Sequence, residues 1–253
     1  MNAPRNYRIG QIVPSSNVTM EAEVPAMLAR AAVPPGVTFT FHASRAPMKT
    51  VSQEELTAMN GHMARCAGEL VDARMDVIAS ACLVAIMCQG PGYHRETESA
   101  LAEVCRADAP DTRIVTSAGA LIEALHALKA KKIAFITPYM KSLTALVIGY
   151  IEAEGIVVKD TVSLEIADNL AVGAQDPMNL VEIVKRLDTT NVDAVVLSAC
   201  VQMPSLAALD TVQGLLDVPV LSTAAATVFQ ILRALDLPTV VPHAGDLLSG
   251  RYG

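Results

Sequence analysis

With 253 residues, 52% of them hydrophobic and 18% charged, the chain excludes disorder and has the length for one large domain or two small ones. Its net charge of −7 argues against a nucleic-acid binder, which needs a basic face, and means that an anionic ligand must be held by local dipoles. Trp is absent and aromatics are few, so Ala, Val, Leu, Ile and Met must fill the core, a composition that favours buried parallel strands.

Tyr7–Pro14 reads as a strand, with a helix over Ser15–Ala32 behind it. Val37–His42 is a second strand. Ser52–Ala73 reads as one helix, opened by a Ser52/Glu55 capping box and striped with Leu56, Met59, Met63, Cys66 and Leu70. Asp76–Cys82 is a β-type run, Arg95–Ala107 a helix, Arg113–Thr116 a short strand and Ala118–Lys129 a helix. Next come a strand at Lys132–Thr137, a helix at Leu143–Glu154 ended by Gly155, and a strand within Val157–Glu165. Asp176 and Pro177 form a cap and first-turn pair for a helix reaching Leu187. Asp193–Cys200 and Val218–Ser222 are strands, and Ala224–Leu235 is the last long helix.

The second series repeats the first. Arg8–Pro14 aligns with Lys132–Pro138, Asp76 and Ser80-Ala81-Cys82 with Asp193 and Ser198-Ala199-Cys200, and Val115–Ala118 with Leu221–Ala224. The fold class predicted is α/β: two similar doubly wound parallel-sheet halves related by a pseudo-two-fold, with the active site in the cleft between them. The expected division is residues 1–117 plus 224–253 for one half and 118–223 for the other.

Ligands of open parallel sheets bind beyond the carboxyl ends of the strands. Cys82 and Cys200 each occupy such an end, and a pseudo-two-fold brings them face to face. A lone cysteine is more often a small buried hydrophobe, and that bland reading holds for Cys66, Cys88 and Cys105. The Pro14-Ser15-Ser16-Asn17 loop offers free amides and the Asn17 side chain to a carboxylate, although Ser15 or Asn17 can equally cap the next helix. Thr137-Pro138-Tyr139-Met140 is the matching loop, with the Tyr139 hydroxyl, and Asp168-Asn169 offers another amide. Thr116, Ser117, Ser222 and Thr223 can supply hydroxyls or cap helices. His94 reads as structural, and His126 has no partner at catalytic spacing. Five cysteines without a CxxC pair make neither a disulfide framework nor a zinc site, and no nucleotide-binding or metalloprotease motif is present. No cofactor and no metal are expected. The N-terminus lacks an apolar signal core, and the run Val77–Cys88 falls short of the ~20 residues that span a bilayer. A cytoplasmic protein with reduced thiols follows as the expectation, with no nucleic-acid or membrane partner.

The segments IGQIVPSSNVTME at 9–21, SACLVAIM at 80–87, TPYMKSLT at 137–144, DNLAV at 168–172 and LSACVQM at 197–203 span nearly the whole chain. Through them the sequence resembles the aspartate/glutamate racemase superfamily and, more closely, its maleate cis-trans isomerases. Racemases of the superfamily usually carry Asn, Thr or Ser directly after each cysteine. Here Leu83 and Val201 stand there, which fits the isomerase pattern.

The resemblance implies conversion of maleate to fumarate through a covalent succinyl-cysteine, and a place in nicotinate breakdown. It implies Cys82 as nucleophile and Cys200 as acid and base. Asn17, Tyr139 and Asn169 would bind the carboxylates, with backbone amides around Leu83-Val84 and Val201-Gln202. A homodimer or homotetramer acting on a small dicarboxylate is the expected assembly. Two rivals stay open: a racemase of aspartate, glutamate or a hydantoin using the same thiols, and a non-catalytic two-lobed dicarboxylate-binding protein.

Overall fold

A computed structural model describes residues 5–252. The first half is built on strands β1 (Arg5–Pro14), β2 (Val37–Ala46), β3 (Val77–Ser80) and β4 (Arg113–Thr116), all parallel in the order β2-β1-β3-β4. The second uses β5 (Lys132–Thr137), β6 (Val157–Ser163), β7 (Ala194–Ser198) and β8 (Val220–Ser222), parallel in the order β6-β5-β7-β8. Renumbered from its own start, the second order is the first. Strands β3, β7 and β8 are buried at every residue, as expected where helices cover both faces. The edge strand β2 alternates, putting Thr38, Thr40 and His42 outside.

Equivalence extends to single hydrogen bonds. Asp76 Oδ2 accepts the Arg8 amide at 2.8 Å, and Asp193 Oδ2 accepts the Lys132 amide at 2.8 Å. At the other end Ala81 N–H donates to Ile12 O at 2.8 Å, and Ala199 N–H to Ile136 O at 2.9 Å. These paired contacts fix where each Ser-Ala-Cys leaves its sheet. Thr116 caps α6 (Ser117–Ala127) through the Gly119 amide, and Ser222 caps α11 (Thr223–Ala234) through the Ala225 amide. The helices α6 and α11 lie against each other, and α11 also lies on β3 and β4.

Several helices differ from their expected bounds for local reasons. After β1 the chain runs as a loop, because Ser15 N–H bonds Ala46 O and Asn17 N–H bonds Pro14 O; α1 therefore spans only Met20–Leu28. The single helix expected over 52–73 is two, α2 (Gln53–Asn60) and α3 (Met63–Val71), interrupted at Gly61-His62 around a weak helix former. Its stripe nevertheless faces inward throughout: Leu56, Met59, Met63, Cys66 and Leu70 are all buried. Ser52 Oγ accepts the Glu55 amide, but Glu55 turns away from the box to accept the amides of Lys49 and Thr50.

The apolar run 77–88 breaks after Ser80, and Leu83–Met87 forms α4; α5 (Tyr93–Cys105) and α7 (Lys141–Ala153) begin two residues earlier than expected. Two short helices, α8 (Asn169–Gly173) and α10 (Leu206–Gln213), had no strong apolar period to announce them. The helix expected from Asp176 is only α9 (Asn179–Ile183) and one 3-10 turn, with Asp176 Oδ1 accepting the Met178 amide outside it.

Candidate active site

Each cysteine sits one residue past the last bond to its sheet. Cys82 occupies the N-cap position of α4, and the amides of Ala85 and Val84 act on its sulfur. Burial and the neighbouring Cys200 outweigh those amides and push the Cys82 thiol up to about 12. Cys200 opens an irregular segment instead of a helix, because Pro204 lacks an amide and disfavours helical backbone at Met203. Its sulfur receives the Gln202 N–H at 3.3 Å, and its thiol too is raised, with burial the cause and the Tyr139 hydroxyl and backbone amides opposing it. Ser198 Oγ shapes the segment by donating to Cys200 O at 2.8 Å.

Tyr139 is buried beside both cysteines, and burial followed by the two sulfurs holds its hydroxyl well above the usual phenol range. That hydroxyl donates to Ala199 O at 3.0 Å and lies within hydrogen-bond reach of the Cys200 sulfur. One proton cannot serve both, so ionisation of Cys200 draws it from the carbonyl to the thiolate. Asn17 is fully buried: its Oδ1 accepts the Met20 amide at 3.0 Å, while its Nδ2 has no partner among the described residues. The residue thus caps α1 and still presents an unused donor. A buried donor left unpaired costs about 1–3 kcal/mol, which a bound acceptor would relieve. Asn169, also buried, donates from Nδ2 to Ser16 Oγ at 2.8 Å. Leu83, Val84, Val201 and Gln202 line the two cysteine turns and are buried.

A segment after β2 links the loop that carries Asn17 to the loop that carries Asn169. Ser16 Oγ donates to Met48 O at 2.6 Å, Val51 N–H to Ala167 O at 3.1 Å, and Thr50 forms a bridge with Asp168. Residues of the first half are thereby stitched to the loop that follows β6. Cys82 is 7% exposed and Cys200 5%, so both thiols are largely withdrawn from water.

The Ser16 and Gln202 side chains and the 48–51 segment escaped the sequence reading, since their partners lie far away along the chain. The remaining candidates take up packing and capping. Thr116 and Ser222 cap helices, and Thr223 Oγ1 donates to Ser198 O at 3.0 Å. His94 is buried against the Tyr150 hydroxyl, and burial lowers its pKa. Cys66 and Cys105 are buried, and Cys88 is partly covered, its thiol donating to Ala85 O at 3.4 Å. Among the described residues no group of three or more His, Cys, Asp or Glu is placed to hold a metal ion, and no helix is long and apolar enough to cross a membrane.

The family model described as arylmalonate decarboxylase matches residues 9–248. A maleate isomerase of Geobacillus stearothermophilus is 59% identical over 249 residues, 98% of this chain and 99% of that protein. Among solved structures, a cysteine-to-alanine variant of the maleate isomerase from Pseudomonas putida S16, with maleate, is similar at 56% identity and a TM-score of 0.95, covering 98% of this chain and 99% of that one. A cysteine-to-serine mutant of the Nocardia farcinica maleate cis-trans isomerase, with a covalently bound succinylcysteine intermediate, is similar at 47% identity and a TM-score of 0.93, covering 97% and 99%. With relatives above half identity over nearly its whole length, the chain belongs to the maleate isomerases, within the arylmalonate decarboxylase family.

Proposed function

We infer that this protein converts maleate to fumarate through a succinyl-cysteine intermediate. Membership of the maleate isomerases supports the reaction. The observation that carries the assignment of roles is the pair of strand-end thiols with unlike surroundings.

A carbon–carbon double bond does not rotate, so the enzyme has to make it single for a moment. The Cys82 thiolate, a soft nucleophile, adds to C2 of maleate while the Cys200 thiol gives its proton to C3. A C–S bond and a C–H bond form, the π bond is lost, and Cys200 is left as the thiolate. The C2–C3 bond turns. Cys200 then takes a proton back from C3, the π bond reforms, and Cys82 leaves as thiolate with fumarate in the trans geometry.

The pair therefore enters and ends the cycle with one negative charge between two sulfurs. Burial is the largest cause of the raised Cys82 thiol, so that charge forms more readily while the site is open to water than after it closes. The amides of Val84 and Ala85 favour the charge on Cys82, and Tyr139 with the Gln202 amide favours it on Cys200. The unused Asn17 donor and Asn169 serve the substrate carboxylates, with main-chain amides at 83–84 and 201–202. Burial of both thiols keeps water from competing as the proton donor while negative charge develops at C3.

A cytoplasmic location and a homodimer or homotetramer complete the reading. The assembly is supported by exposed apolar side chains such as Val157, Leu170 and Leu215. Placing the C-terminal residues 224–253 with residues 1–117 is supported by the packing of α11 on β3 and β4. Purified protein mixed with maleate alone should release fumarate, followed by ultraviolet absorbance or proton NMR. Maleate unchanged after long incubation with folded, reduced protein overturns the assignment.

A further inference from the structure

The Gln202 side chain spans the cleft, and every polar atom of its amide is used. Oε1 accepts the amides of Val18 at 3.1 Å and Thr19 at 3.4 Å, and Nε2 donates to Ser16 O at 3.0 Å and Asn169 O at 2.9 Å. Ser16 and Val18 flank Asn17, so one amide grips the backbone on both sides of that residue and also holds the main chain of Asn169. Thr19 Oγ1 closes the contact by donating to Gln202 O at 2.7 Å.

Space for the amide is provided from the second half. A Cβ at Gly173 would lie 2.5 Å from Gln202 Nε2 and 3.1 Å from Cδ, so any larger residue there displaces the amide. Gly173 closes α8, whose first residue is Asn169. The fold thus keeps a small residue where the clamp has to fit.

We propose that Gln202 is a positioning residue: its side-chain amide sets the register of Asn17 against Asn169, and through them the span between the two carboxylate sites. This rests on the reading of those asparagines as carboxylate binders. Gln202 touches the substrate with its backbone at most, and its side chain acts through its neighbours. A maleate carboxylate is bound both before and during the reaction, so loss of the register weakens both stages alike and raises KM more than it lowers kcat.

The test uses the wild type, Gln202→Met, Gln202→Ala, Gly173→Ala and the Gly173→Ala/Gln202→Ala pair. Each is measured for kcat and KM with maleate and, by calorimetry, for Kd with succinate. In Gln202→Met, KM and Kd rise about tenfold while kcat stays within about threefold. Gly173→Ala moves the same constants in the same direction. It has no further effect in the Gln202→Ala background, where nothing remains to be displaced. A fall in kcat at unchanged KM and Kd overturns the proposal, because it makes Gln202 a support for Cys200 instead. An equal effect of Gly173→Ala in both backgrounds also overturns it, and should Gln202→Met fail to fold, this pair decides alone. Succinate binding requires no turnover, so a wild type that binds succinate but leaves maleate unchanged loses the isomerase assignment while the clamp is still tested. A wild type that does not bind succinate removes the carboxylate sites and the clamp with them.

Discussion

Both halves deliver Ser-Ala-Cys to the cleft at the end of a matching strand, yet the residues beyond diverge. Leu83-Val84-Ala85-Ile86-Met87 continues as a helix and sets backbone amides on the Cys82 sulfur. Val201-Gln202-Met203-Pro204-Ser205 cannot, and the Cys200 sulfur is met by the Gln202 amide and the Tyr139 hydroxyl. Duplication supplied symmetry of position, and the five residues after each cysteine took away symmetry of chemistry. Main-chain amides on the first sulfur have nothing to give away. On the second, a hydroxyl within reach of both Ala199 O and sulfur can follow a charge as it comes and goes. A nucleophile suits the first setting and a proton carrier the second.

Five measurements bear on that contrast and on the site around it. Cys82→Ala should lower turnover by at least about 10⁴-fold, whereas Cys200→Ser should lower it by about 10³-fold and accumulate one maleate on Cys82, seen by intact-protein mass spectrometry. An adduct on Cys200 in a Cys82→Ser variant would reverse the roles. Tyr139→Phe removes the mobile donor and should reduce kcat by about 10²-fold or somewhat more, with KM little changed. Loss confined to KM would move Tyr139 from sulfur to carboxylate.

Asn17→Asp keeps the acceptor that caps α1 but turns the unused donor into a negative charge. We expect kcat/KM to fall about 10²-fold and the melting temperature to drop, more at pH 8 than at pH 5, because a buried carboxylate without a cationic partner is penalised in the folded state; unaltered kcat/KM would show that the buried donor does not meet substrate. The smallest effect concerns stability. Folded Cys82 keeps its proton to about 12 against an ordinary value of 9.0, so the stability this represents is complete below pH 9. It is lost as pH rises from 9 towards 12, because the unfolded thiol ionises and the folded one does not. The slope is about 1.4 kcal/mol per pH unit for the thiol. Denaturant titrations at pH 8, 9 and 10 should show it in the wild type and a shallower fall in Cys82→Ala. Identical slopes would place the Cys82 thiol in contact with water.

Lys132–Thr137 was legible in the sequence because burial on both faces leaves little but apolar residues, and the edge strand Arg113–Thr116 also matches the structure residue for residue. The position of both cysteines followed from the repeat, which no single strand would have revealed. Helix ends were less legible. The break at Gly61-His62 costs little sequence signal, and α8 has only five residues in which to show a period. The raised thiols were not legible at all, since desolvation depends on what closes over a residue. The same applies to the clamp: Gln202 meets Ser16 across 186 positions, and no local pattern encodes a bond between a side chain and a distant carbonyl.

The seam between the halves also has a meaning in terms of populations. Ser16, next to the unused Asn17 donor, bonds Met48 and, in the opposite half, Asn169, so the surroundings of that donor and the seam between the halves share one set of contacts. Measured affinity is then the intrinsic affinity multiplied by the fraction of molecules in which this seam is made. With Asn17 and Asn169 read as carboxylate binders, substitutions at Met48, Thr50 or Asp168 are expected to register as weaker binding and faster release. Two enzymes with identical pockets could differ in affinity through this seam alone.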